Sequence, residues 1–479
     1  MRPIKTDLLI LGAGPAGTSL ALMLLSRAPH LKVRIVDKSD GLSEKIGETL
    51  PPQIRDLMVP LGIWEKFRKE AHLMSQGTCA VWGSEALLEN DFLFQTSQPG
   101  WRIDKNRFNR FLIREAEQRG ALVQLGAAAK LMEKTPGLFH FQITGNAGEV
   151  EQLQASFVVE ASGRTAQFAS RMGAQKVRFD NLTGIWRFYE LSTPSADLPT
   201  LVEACENGWW YSALLPGNKL VVAFMTDSDL APTNVQQAEK WEQGLIAAPH
   251  TQQRVAQAQS AGEIQVWPAA SQYLDALVGE GWIAVGDAAA TFDPLSAQGI
   301  FKAIKSGIFG AYAVLDYLDG KTNALEKYEH LIRREYENYL EIRSHFYQQE
   351  QRWPNSAFWQ RRHHRVTLNP FSVLVSSKAP NRNNLQTKYF LSRKEEAFIL
   401  ETCSVPRPAK EVVDALKKAQ LGYKKDRNII LALQYLLEKN ALLLSNSKEQ
   451  TPDLELDRDS RASSKWTDTK WIIFSNQNV

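Results

Sequence analysis

The stretch Gly12-Ala13-Gly14-Pro15-Ala16-Gly17 decides the fold of this 479-residue chain. It follows a short apolar run at residues 4–11, which is typical of a buried parallel strand, and it precedes an Ala/Leu-rich helical run at residues 18–26. A second apolar run at residues 33–36 completes a βαβ unit. In GxGxxG the first glycine makes the tight turn, the second lets backbone approach a pyrophosphate, and the third lets helix and strand pack closely. The sequence therefore predicts a dinucleotide-binding α/β domain.

The first motif carries the predicted contacts to the nucleotide. The helix that follows it would offer unpaired N–H groups and the positive end of its dipole to the phosphates. Asp37 stands 20 residues beyond Gly17, at the end of the second strand, where an acidic side chain can bind the ribose hydroxyls. The residues expected to contact the nucleotide in this half of the site are Gly12, Gly14, Ala16, Gly17, Asp37 and Lys38.

A second motif, far along the chain, decides between FAD and NAD. Residues 282–289, Trp-Ile-Ala-Val-Gly-Asp-Ala-Ala, indicate a buried strand that ends in Gly-Asp, and residues 294–299, Pro-Leu-Ser-Ala-Gln-Gly, open a long helix. This pair resembles the second FAD fingerprint of aromatic-hydroxylase-type flavoproteins. The resemblance implies FAD as the cofactor, with Asp287 on the ribityl chain or pyrophosphate and the helix N-terminus near Gly299 on the flavin pyrimidine edge. The contacts expected here are Gly286, Asp287, Pro294, Gln298, Gly299 and Ile300.

Two further stretches agree with this family. Residues 105–109, Lys-Asn-Arg-Phe-Asn, resemble its R-x-x-F-D helix start with lysine at the arginine position, so Arg107 is expected to contact the cofactor instead. Residues 157–164, Phe-Val-Val-Glu-Ala-Ser-Gly-Arg, resemble the D-A-S-G-R return to the FAD domain, with Glu160 in place of aspartate. Family members that use NAD(P)H directly usually carry Asp-Gly where this chain has Ser162-Gly163. The electron donor is therefore either NAD(P)H or a separate flavin reductase.

A third stretch narrows the resemblance. Residues 47–52, Gly-Glu-Thr-Leu-Pro-Pro, resemble the G-E-x-L-P of the tryptophan-halogenase superfamily, which includes relatives that do not halogenate. The chain is also similar to the flavoproteins that hydroxylate a tryptophan of a partner polypeptide during maturation of quinoprotein amine oxidases and dehydrogenases. Glu48 is then expected to lie beside the cofactor. The residues that add to this likeness, which spans positions 4–360, are Tyr347, Glu350, Arg352-Trp353-Pro354 and Phe358-Trp359.

Two residues separate halogenation from hydroxylation. The resemblance implies that a halogenase needs a lysine to capture hypohalous acid and a glutamate just before the glycine of the second motif. Ser296 stands at the glutamate position, and no lysine occurs between Ala71 and Asp104, where the reactive amine is expected. The W-x-W-x-I-P of halogenases is also missing, because residues 209–212 read Trp-Trp-Tyr-Ser. The sequence therefore favours a monooxygenase, in which reduced flavin and O₂ give a C4a-hydroperoxide that hydroxylates an aromatic ring.

The catalytic side chains are harder to identify, because indole and phenol rings are reactive enough to need no strong base. Glu48 and His72 are the candidates, although a single side chain of either kind is more often structural. The aromatic stretch Trp209, Trp210 and Tyr211 fits the floor of a substrate pocket, and it fits the core of a sheet equally well.

Composition limits the partners. Hydrophobic residues make up 44% of the chain, charged residues 23%, and the formal net charge is +3, so neither nucleic acid nor an anionic membrane is an expected partner. Cys79, Cys205 and Cys403 form no CxxC, which indicates reduced thiols, and no metal site is expected. No signal peptide and no apolar run of roughly 20 residues is apparent, so we expect a cytoplasmic protein.

Three segments of different character divide the chain. The expected α/β fold consists of a glutathione-reductase-like FAD-binding Rossmann-type domain, a β-rich substrate domain and an α-helical, winged-helix-like C-terminal module of three helices and a terminal hairpin. Their expected bounds are 1–71, 101–176 and 280–350 for the FAD domain, 72–100 and 177–279 for the substrate domain, and 385–479 for the module.

Three functions remain open at this point. The first is hydroxylation of tryptophan in a partner polypeptide, with O₂ and an electron donor as co-substrates. The second is a small-molecule aromatic hydroxylase of secondary metabolism. The third is a flavin-linked regulator that binds DNA through the C-terminal module. The candidate recognition helix, residues 428–439, is mainly apolar and argues against DNA. Winged-helix modules also bind peptides, which favours the first.

Overall fold

The computed structural model describes residues 3–41, 46, 48–92, 98–192, 198–232, 237–256, 258–363, 368, 370–377, 391–419 and 426–445. These residues divide into two compact units. The first holds the described residues up to 176 and those from 181 to 336, and the second holds 177–180 and those from 337 onward. Among the described residues, no helix combines the length and the apolar character needed to cross a membrane.

Strands are numbered in chain order. They are β1 (Ile4–Leu11), β2 (Val33–Asp37), β3 (Glu48–Leu50), β4 (Leu73–Ser75), β5 (Gly77–Val81), β6 (Leu88–Asp91), β7 (Gly100–Ile103), β8 (Leu122–Leu125), β9 (Ala127–Thr135), β10 (Leu138–Gly145), β11 (Val150–Glu160), β12 (Lys176–Arg178), β13 (Leu182–Leu191), β14 (Thr200–Cys205), β15 (Gly208–Leu215), β16 (Lys219–Asp227), β17 (Ala258–Pro268), β18 (Gln272–Leu274), β19 (Val278–Gly279), β20 (Trp282–Ala284), β21 (Ala290–Thr291), β22 (Val373–Ser376), β23 (Arg407–Pro408) and β24 (Leu442–Leu444).

Helices are numbered in the same way. They are α1 (Pro15–Arg27), α2 (Ile54–Met58), α3 (Trp64–Phe67), α4 (Lys105–Gln118), α5 (Gln167–Arg171), α6 (Gln237–Ile246), α7 (Pro249–Val255), α8 (Gly299–Leu318), α9 (Ala324–Gln349), α10 (Ala357–Gln360), α11 (Arg393–Thr402), α12 (Ala409–Lys418) and α13 (Asp426–Glu438).

A mainly parallel sheet forms the centre of the first unit and confirms the predicted α/β fold. Its strands run in the order β19-β20-β11-β1-β2-β8, and the antiparallel strands β9 and β10 extend from β11. In β1, Leu8, Leu9 and Ile10 are completely buried, as expected for a strand covered on both faces. The sheet brings the carboxyl ends of β1, β11 and β20 side by side, because these three strands are parallel neighbours. Ligands of open α/β sheets bind beyond such ends.

The second sheet of this unit confirms the predicted antiparallel region. Its seven strands run in the order β17-β13-β16-β15-β14-β5-β6, antiparallel except for the parallel pair β14 and β5. One face packs against α6 and α7 through a core that includes Trp210, Val222 and Trp241. The other face reaches the strand that follows the first motif, since Thr200 Oγ1 lies 2.7 Å from Thr49 Oγ1 of β3. That second face is therefore the one turned to the nucleotide domain.

The C-terminal part of the second unit is a small helical module. Helices α11, α12 and α13 enclose a core that includes Ile399, Val412 and Leu433, beside a three-stranded sheet of order β23-β22-β24. The middle strand, β22, precedes all three helices and pairs with β24. Residues beyond 445, where the second strand of the terminal hairpin was expected, and the proposed boundary at 385 lie outside the described residues.

Candidate cofactor and active site

The three glycines of the first motif differ in how much space surrounds them. Gly12 has φ +118°, and a Cβ there would overlap the carbonyl oxygen of Ala161 at the end of β11. A Cβ at Gly17 would overlap the carbonyl oxygen of Gly12. A Cβ at Gly14, in contrast, would meet nothing within 4 Å. Two glycines thus allow the chain to pack, and Gly14 borders open space that a phosphate can approach.

The amino end of α1 faces this open space without a side-chain cap. Gly14 is the N-cap residue and Pro15 the first helical residue, so no side chain accepts a hydrogen bond from the first N–H groups. Ala16 and Gly17 are buried in this first turn. The free N–H groups and the positive end of the helix dipole form an anion site.

Asp37 holds the first motif in place. Its Oδ2 accepts a hydrogen bond from Ala13 N at 2.7 Å, and its Oδ1 accepts one from Ser39 N at 2.7 Å. A carboxylate has about four acceptor sites, so Asp37 keeps capacity for ribose hydroxyls. Lys38 extends to Gln167 Oε1 at 3.4 Å on the exposed side. The ribose contact of Asp37 and the contact of Lys38 stay predictions.

The two sequence fingerprints meet at Ala16. A Cβ on Gly286 of the second motif would lie 2.5 Å from the Ala16 Cβ, and Gly286 has φ +64°. A Cβ on Gly307 of α8 would overlap the Ala16 carbonyl oxygen. Only glycines at both positions allow α8 and the end of β20 to approach α1 this closely. Stretches that are far apart in sequence therefore form one site.

A buried hydrogen-bond relay fixes the turn at Gly286. Gly286 N donates to Ser306 Oγ at 2.9 Å, and Tyr328 Oη donates to Ala284 O at 2.9 Å. The Ser306 hydroxyl is then left to donate to Tyr328 Oη, 2.8 Å away. Burial raises the pKa of the Tyr328 phenol, which keeps it protonated as a donor. The sequence did not single out Ser306 or Tyr328.

Cations surround the carboxylate of Asp287. Lys302 Nζ lies 2.7 Å from Asp287 Oδ1, and Arg164 and Lys105 lie within electrostatic range. Burial alone raises the pKa of Asp287, but the charges of Lys302 and Arg164 outweigh burial, and the pKa lies below its ordinary value. The Asp287 carboxylate is therefore ionised, and cations surround it. These cations suit the anionic pyrophosphate of a dinucleotide.

Arg107, an expected cofactor contact, forms an ion pair in the structure. Its Nε donates to Glu70 Oε2 at 3.0 Å, and Arg114 binds the other oxygen of the same carboxylate at 2.7 Å. Helix α4 begins at Lys105 with Asp104 as its N-cap, so the side chain at the family's arginine position is the one whose charge acts on Asp287. We therefore propose Lys105 as a cofactor contact of this helix, and the contact of Arg107 stays a prediction.

The loop before α8 is held by its own backbone. Asp293 Oδ1 accepts from Leu295 N at 2.9 Å, and Ser296 Oγ donates to Asp293 O at 2.9 Å. Ala297 has φ +48°, which turns the chain into α8. Gln298, the N-cap residue, makes no side-chain capping bond, so the amino end of α8 at Gly299 and Ile300 carries N–H groups without such a cap. This end and Pro294 remain the predicted flavin contacts.

Glu160 organises the return of the chain to the first sheet. Its side chain is completely buried, and its two oxygens accept from Ser162 N at 2.9 Å and from Phe168 N at 2.7 Å. Charge-assisted bonds of this kind explain why an acidic residue is needed there. Arg164 of the same stretch donates to Ala270 O at 2.7 Å. The stretch thereby links the nucleotide domain to the segment that follows β17.

The structure describes the side chain of only one of the two catalytic candidates, Glu48 and His72. The side chain of Glu48 lies outside the described part of the chain; its backbone pairs with Ile103 in β3 and β7. His72 is 8% exposed and packs against Phe67 and Phe108 at ring distances of 5.3 and 6.2 Å. Neither ring nitrogen of His72 has a partner among the described residues. Burial and the nearby Arg107 lower the pKa of His72 to about 4.

The aromatic stretch of β15 is divided between the two faces of the sheet. Trp210 pairs with Phe224, packs against Trp241 at 4.9 Å and is 1% exposed, so it belongs to the core beneath α6. Tyr211 pairs with Val202 on the opposite face, which is turned to the nucleotide domain. Trp209 shares that face but is completely buried. Trp210 therefore does not line the predicted pocket, and of the three residues Tyr211 is the partly exposed one.

Two tryptophans that the sequence analysis missed lie on the same face as Tyr211. Trp186 pairs with Ala223, the partner of Tyr211, and its ring lies 6.3 Å from that of Trp267. The Trp267 ring lies directly over Gly184, where a Cβ would overlap it. The alternation of side chains along β13 and β17 would have identified both residues if the pairing of these strands had been known.

The residues at the site fit FAD. Gly14 leaves space for a pyrophosphate, the amino ends of α1 and α8 lack side-chain caps, and cations gather at Asp287. The described residues contain no group of three or more His, Cys, Asp or Glu side chains placed to hold a metal ion.

Comparison with known proteins agrees with this geometry. The family described as "FAD binding domain" matches residues 5–338. The chain is 29% identical over 360 residues to the "Putative FAD-dependent oxidoreductase LodB" of Marinomonas mediterranea, covering 74% of this chain and 96% of that protein. Several other curated relatives are halogenases.

Solved structures show the same fold. The myxobacterial chondrochloren halogenase CndH superposes with a TM-score of 0.68 and 22% identity, over 75% of this chain and 86% of that one. The "Peptidyl tryptophan dihydroxylase QhpG essential for tryptophylquinone cofactor biogenesis" superposes with a TM-score of 0.63 and 21% identity, over 91% of this chain and 99% of that one. The family match covers well over half of the chain and carries the assignment. This chain belongs to the FAD-binding domain family and is an FAD-binding, flavin-dependent oxidoreductase.

Proposed function

We propose that this oxidoreductase is a monooxygenase that hydroxylates an aromatic ring. The observation that carries the proposal is the position of Ser296. Ser296 is 1% exposed, and its hydroxyl donates to Asp293 O within its own loop. The chain therefore has no carboxylic acid at the position where the halogenase resemblance requires one. A halogenase without that acid and without the reactive lysine lacks both groups that direct hypohalous acid.

Hydroxylation by oxygen transfer requires fewer specific side chains from the protein than halogenation does. One oxygen atom of O₂ enters the ring, the other leaves as water, and reduced FAD supplies the two electrons and is reoxidised, which is the chemistry the cofactor brings when bound. The chain's own contribution is to bind the cofactor, orient the ring and exclude water. His72, with its low pKa and aromatic surroundings, is not required as a base in this scheme.

The wall that would orient the ring is the nucleotide-facing side of the second sheet. Tyr211, Trp186 and Trp267 share this face, and the Trp267 ring is held flat against Gly184. Aromatic side chains stack on or meet the edge of a planar substrate and add to its burial. An indole or phenol ring is the class of substrate that such a wall favours.

We further propose that the ring belongs to a tryptophan in a partner polypeptide and that the reaction serves quinone-cofactor biogenesis. The support is the similarity to QhpG, the helical module formed by α11–α13, and Ser162 at the position where direct NAD(P)H enzymes carry aspartate. The last feature favours reduced flavin from a separate reductase. The alternative is a small-molecule aromatic hydroxylase.

Mass spectrometry of a co-expressed partner distinguishes these substrates. The partner would be a polypeptide encoded beside this chain, co-expressed with the wild type or with the Gly14→Val/Asp287→Ala double variant. We expect a tryptophan of the partner to gain about 16 or about 32 Da, corresponding to about one or two oxygen atoms, with the wild type alone. Ready turnover of free tryptophan or a small phenol, with every candidate partner unmodified, would replace the polypeptide proposal by the small-molecule one.

A further inference from the structure

Lys302 is a buried cation that the fingerprints do not account for. It lies on α8, three residues after Gly299, and is 5% exposed. Its Nζ binds Asp287 Oδ1 at 2.7 Å and also donates to Ala290 O. The same Nζ lies 4.8 Å from the centre of the Phe292 ring, which is a cation–π contact. The ammonium is thus held at a fixed place beside the second motif.

Burying a lysine this deeply has an energetic cost, and the contacts of Lys302 compensate that cost only in part. Burial of an ammonium costs several kcal/mol unless its charge is compensated. Asp287 provides one negative charge, but Arg164 and Lys105 act on the same carboxylate. Three cations therefore act on one carboxylate, and such a cluster favours the binding of an anionic ligand. An ammonium also has three donors, and Asp287 and Ala290 use two of them.

We propose that Lys302 is a positioning residue for the cofactor: it fixes the Asp287 carboxylate toward FAD, and its charge favours the reduced cofactor, on which negative charge accumulates. Together with the amino end of α8, Lys302 places positive charge where the second motif meets the flavin. The inference rests on FAD binding and does not depend on which ring the enzyme oxidises.

Lys305 provides a matched control on the same helix. It is 6% exposed, nearly the same as Lys302, and its Nζ binds Glu335 Oε1 of α9 at 2.8 Å. Both lysines are therefore buried, ion-paired and one helical turn apart. Lys302 binds Asp287 of the second motif, whereas the ion pair of Lys305 joins α8 to α9. A general effect of losing a buried ion pair should therefore appear in both variants, and a cofactor effect in Lys302→Met.

The experiment compares Lys302→Met, Lys302→Arg and Lys305→Met. For each protein we would measure the FAD dissociation constant of the apoprotein, the midpoint potential of bound flavin by dye equilibration, and the melting temperature. We expect Lys302→Met to weaken FAD binding on the order of tenfold and to make the potential more negative. Lys302→Arg, which keeps the positive charge, should retain a large part of the wild-type FAD affinity and potential. Lys305→Met should lower the melting temperature and leave the FAD affinity and the potential unchanged.

Two results would overturn the proposal. One is Lys302→Met with wild-type FAD affinity and potential. The other is Lys305→Met that changes affinity and potential as much as Lys302→Met, which would make the effect one of general packing. If Lys302→Met does not fold, Lys302→Gln decides the matter: its amide can still donate to Asp287 and Ala290 but carries no charge, so FAD binding should weaken and the potential become more negative. Wild-type affinity and potential in Lys302→Gln would contradict the charge argument.

Discussion

At the scale of single residues, His72 is a predicted catalytic group whose surroundings favour a structural role. Its ring is enclosed by Phe67 and Phe108, and neither nitrogen has a hydrogen-bond partner among the described residues. Sequence alone could not reveal this, because the aromatic neighbours come from α3 and α4. A buried imidazole without a partner costs stability, on the order of 1–3 kcal/mol.

Replacing His72 by phenylalanine should reduce the acid sensitivity of the fold. The folded-state pKa of about 4 lies below the ordinary value of 6.5, so the unfolded chain takes up this proton first as pH falls. The stability contributed by neutral His72 is therefore complete above pH 6.5 and is lost as pH falls toward 4. In urea unfolding, His72→Phe should lose about 2 kcal/mol less than wild type between pH 7.5 and pH 4.5.

The same variant also tests catalysis. FAD content and the rate of ring oxidation should remain near wild type, because the phenylalanine fills a similar space. A large fall in the rate with normal FAD content and normal stability would contradict the structural role and restore His72 as an acid–base candidate.

The other residue-scale differences have simple physical origins. Trp210 was grouped with its neighbours, but side chains alternate along a strand, so it points away from Tyr211. The contact expected of Arg107 comes from a motif whose first position is substituted and stays a prediction; Lys105 at that first position begins the helix capped by Asp104 and is the residue we propose. Lys302 could not be linked to Asp287 from sequence, because the contact joins α8 to the end of β20.

At the scale of elements, Gly14 of the first fingerprint and Gly307 of α8 have different roles, one in cofactor binding and the other in helix packing. Gly14 has φ −74° and ψ 179°, extended backbone that any residue adopts, and it borders open space. Gly307 faces the Ala16 carbonyl oxygen with no room for a Cβ. The sequence predicted the role of the first-motif glycines, whereas that of Gly307 depends on the distance between α1 and α8.

These surroundings predict opposite phenotypes. Gly14→Val together with Asp287→Ala should give folded protein that is colourless, because the side chain at position 14 fills the phosphate space. Gly307→Ala should be destabilised by about 1–3 kcal/mol through overpacking, despite the better helix propensity of alanine. Absorbance of bound flavin and thermal unfolding distinguish the two. Tightly bound FAD in the double variant would contradict the site assignment.

At the scale of the whole molecule, the sequence predicted the parallel sheet, the separate antiparallel sheet and the FAD cofactor, because each depends on a local pattern. What it could not predict are the contacts between distant stretches: the relay through Ser306 and Tyr328, and the wall formed by Trp186 and Trp267. The middle strand of the C-terminal sheet, β22, likewise comes from before the helices, and only the pairing of strands reveals this.

The central claim is that this oxidoreductase inserts oxygen and does not halogenate. The most direct test supplies reduced flavin, ¹⁸O-labelled O₂ and excess bromide to the wild-type enzyme, with tryptophan-containing peptides and free indoles as substrates, and analyses the products by mass spectrometry. We expect ¹⁸O in the aromatic product and no bromine, since Ser296 provides no acid and its hydroxyl is bound within its own loop. Brominated indole, formed only with the enzyme present, would contradict the account and restore the halogenase function.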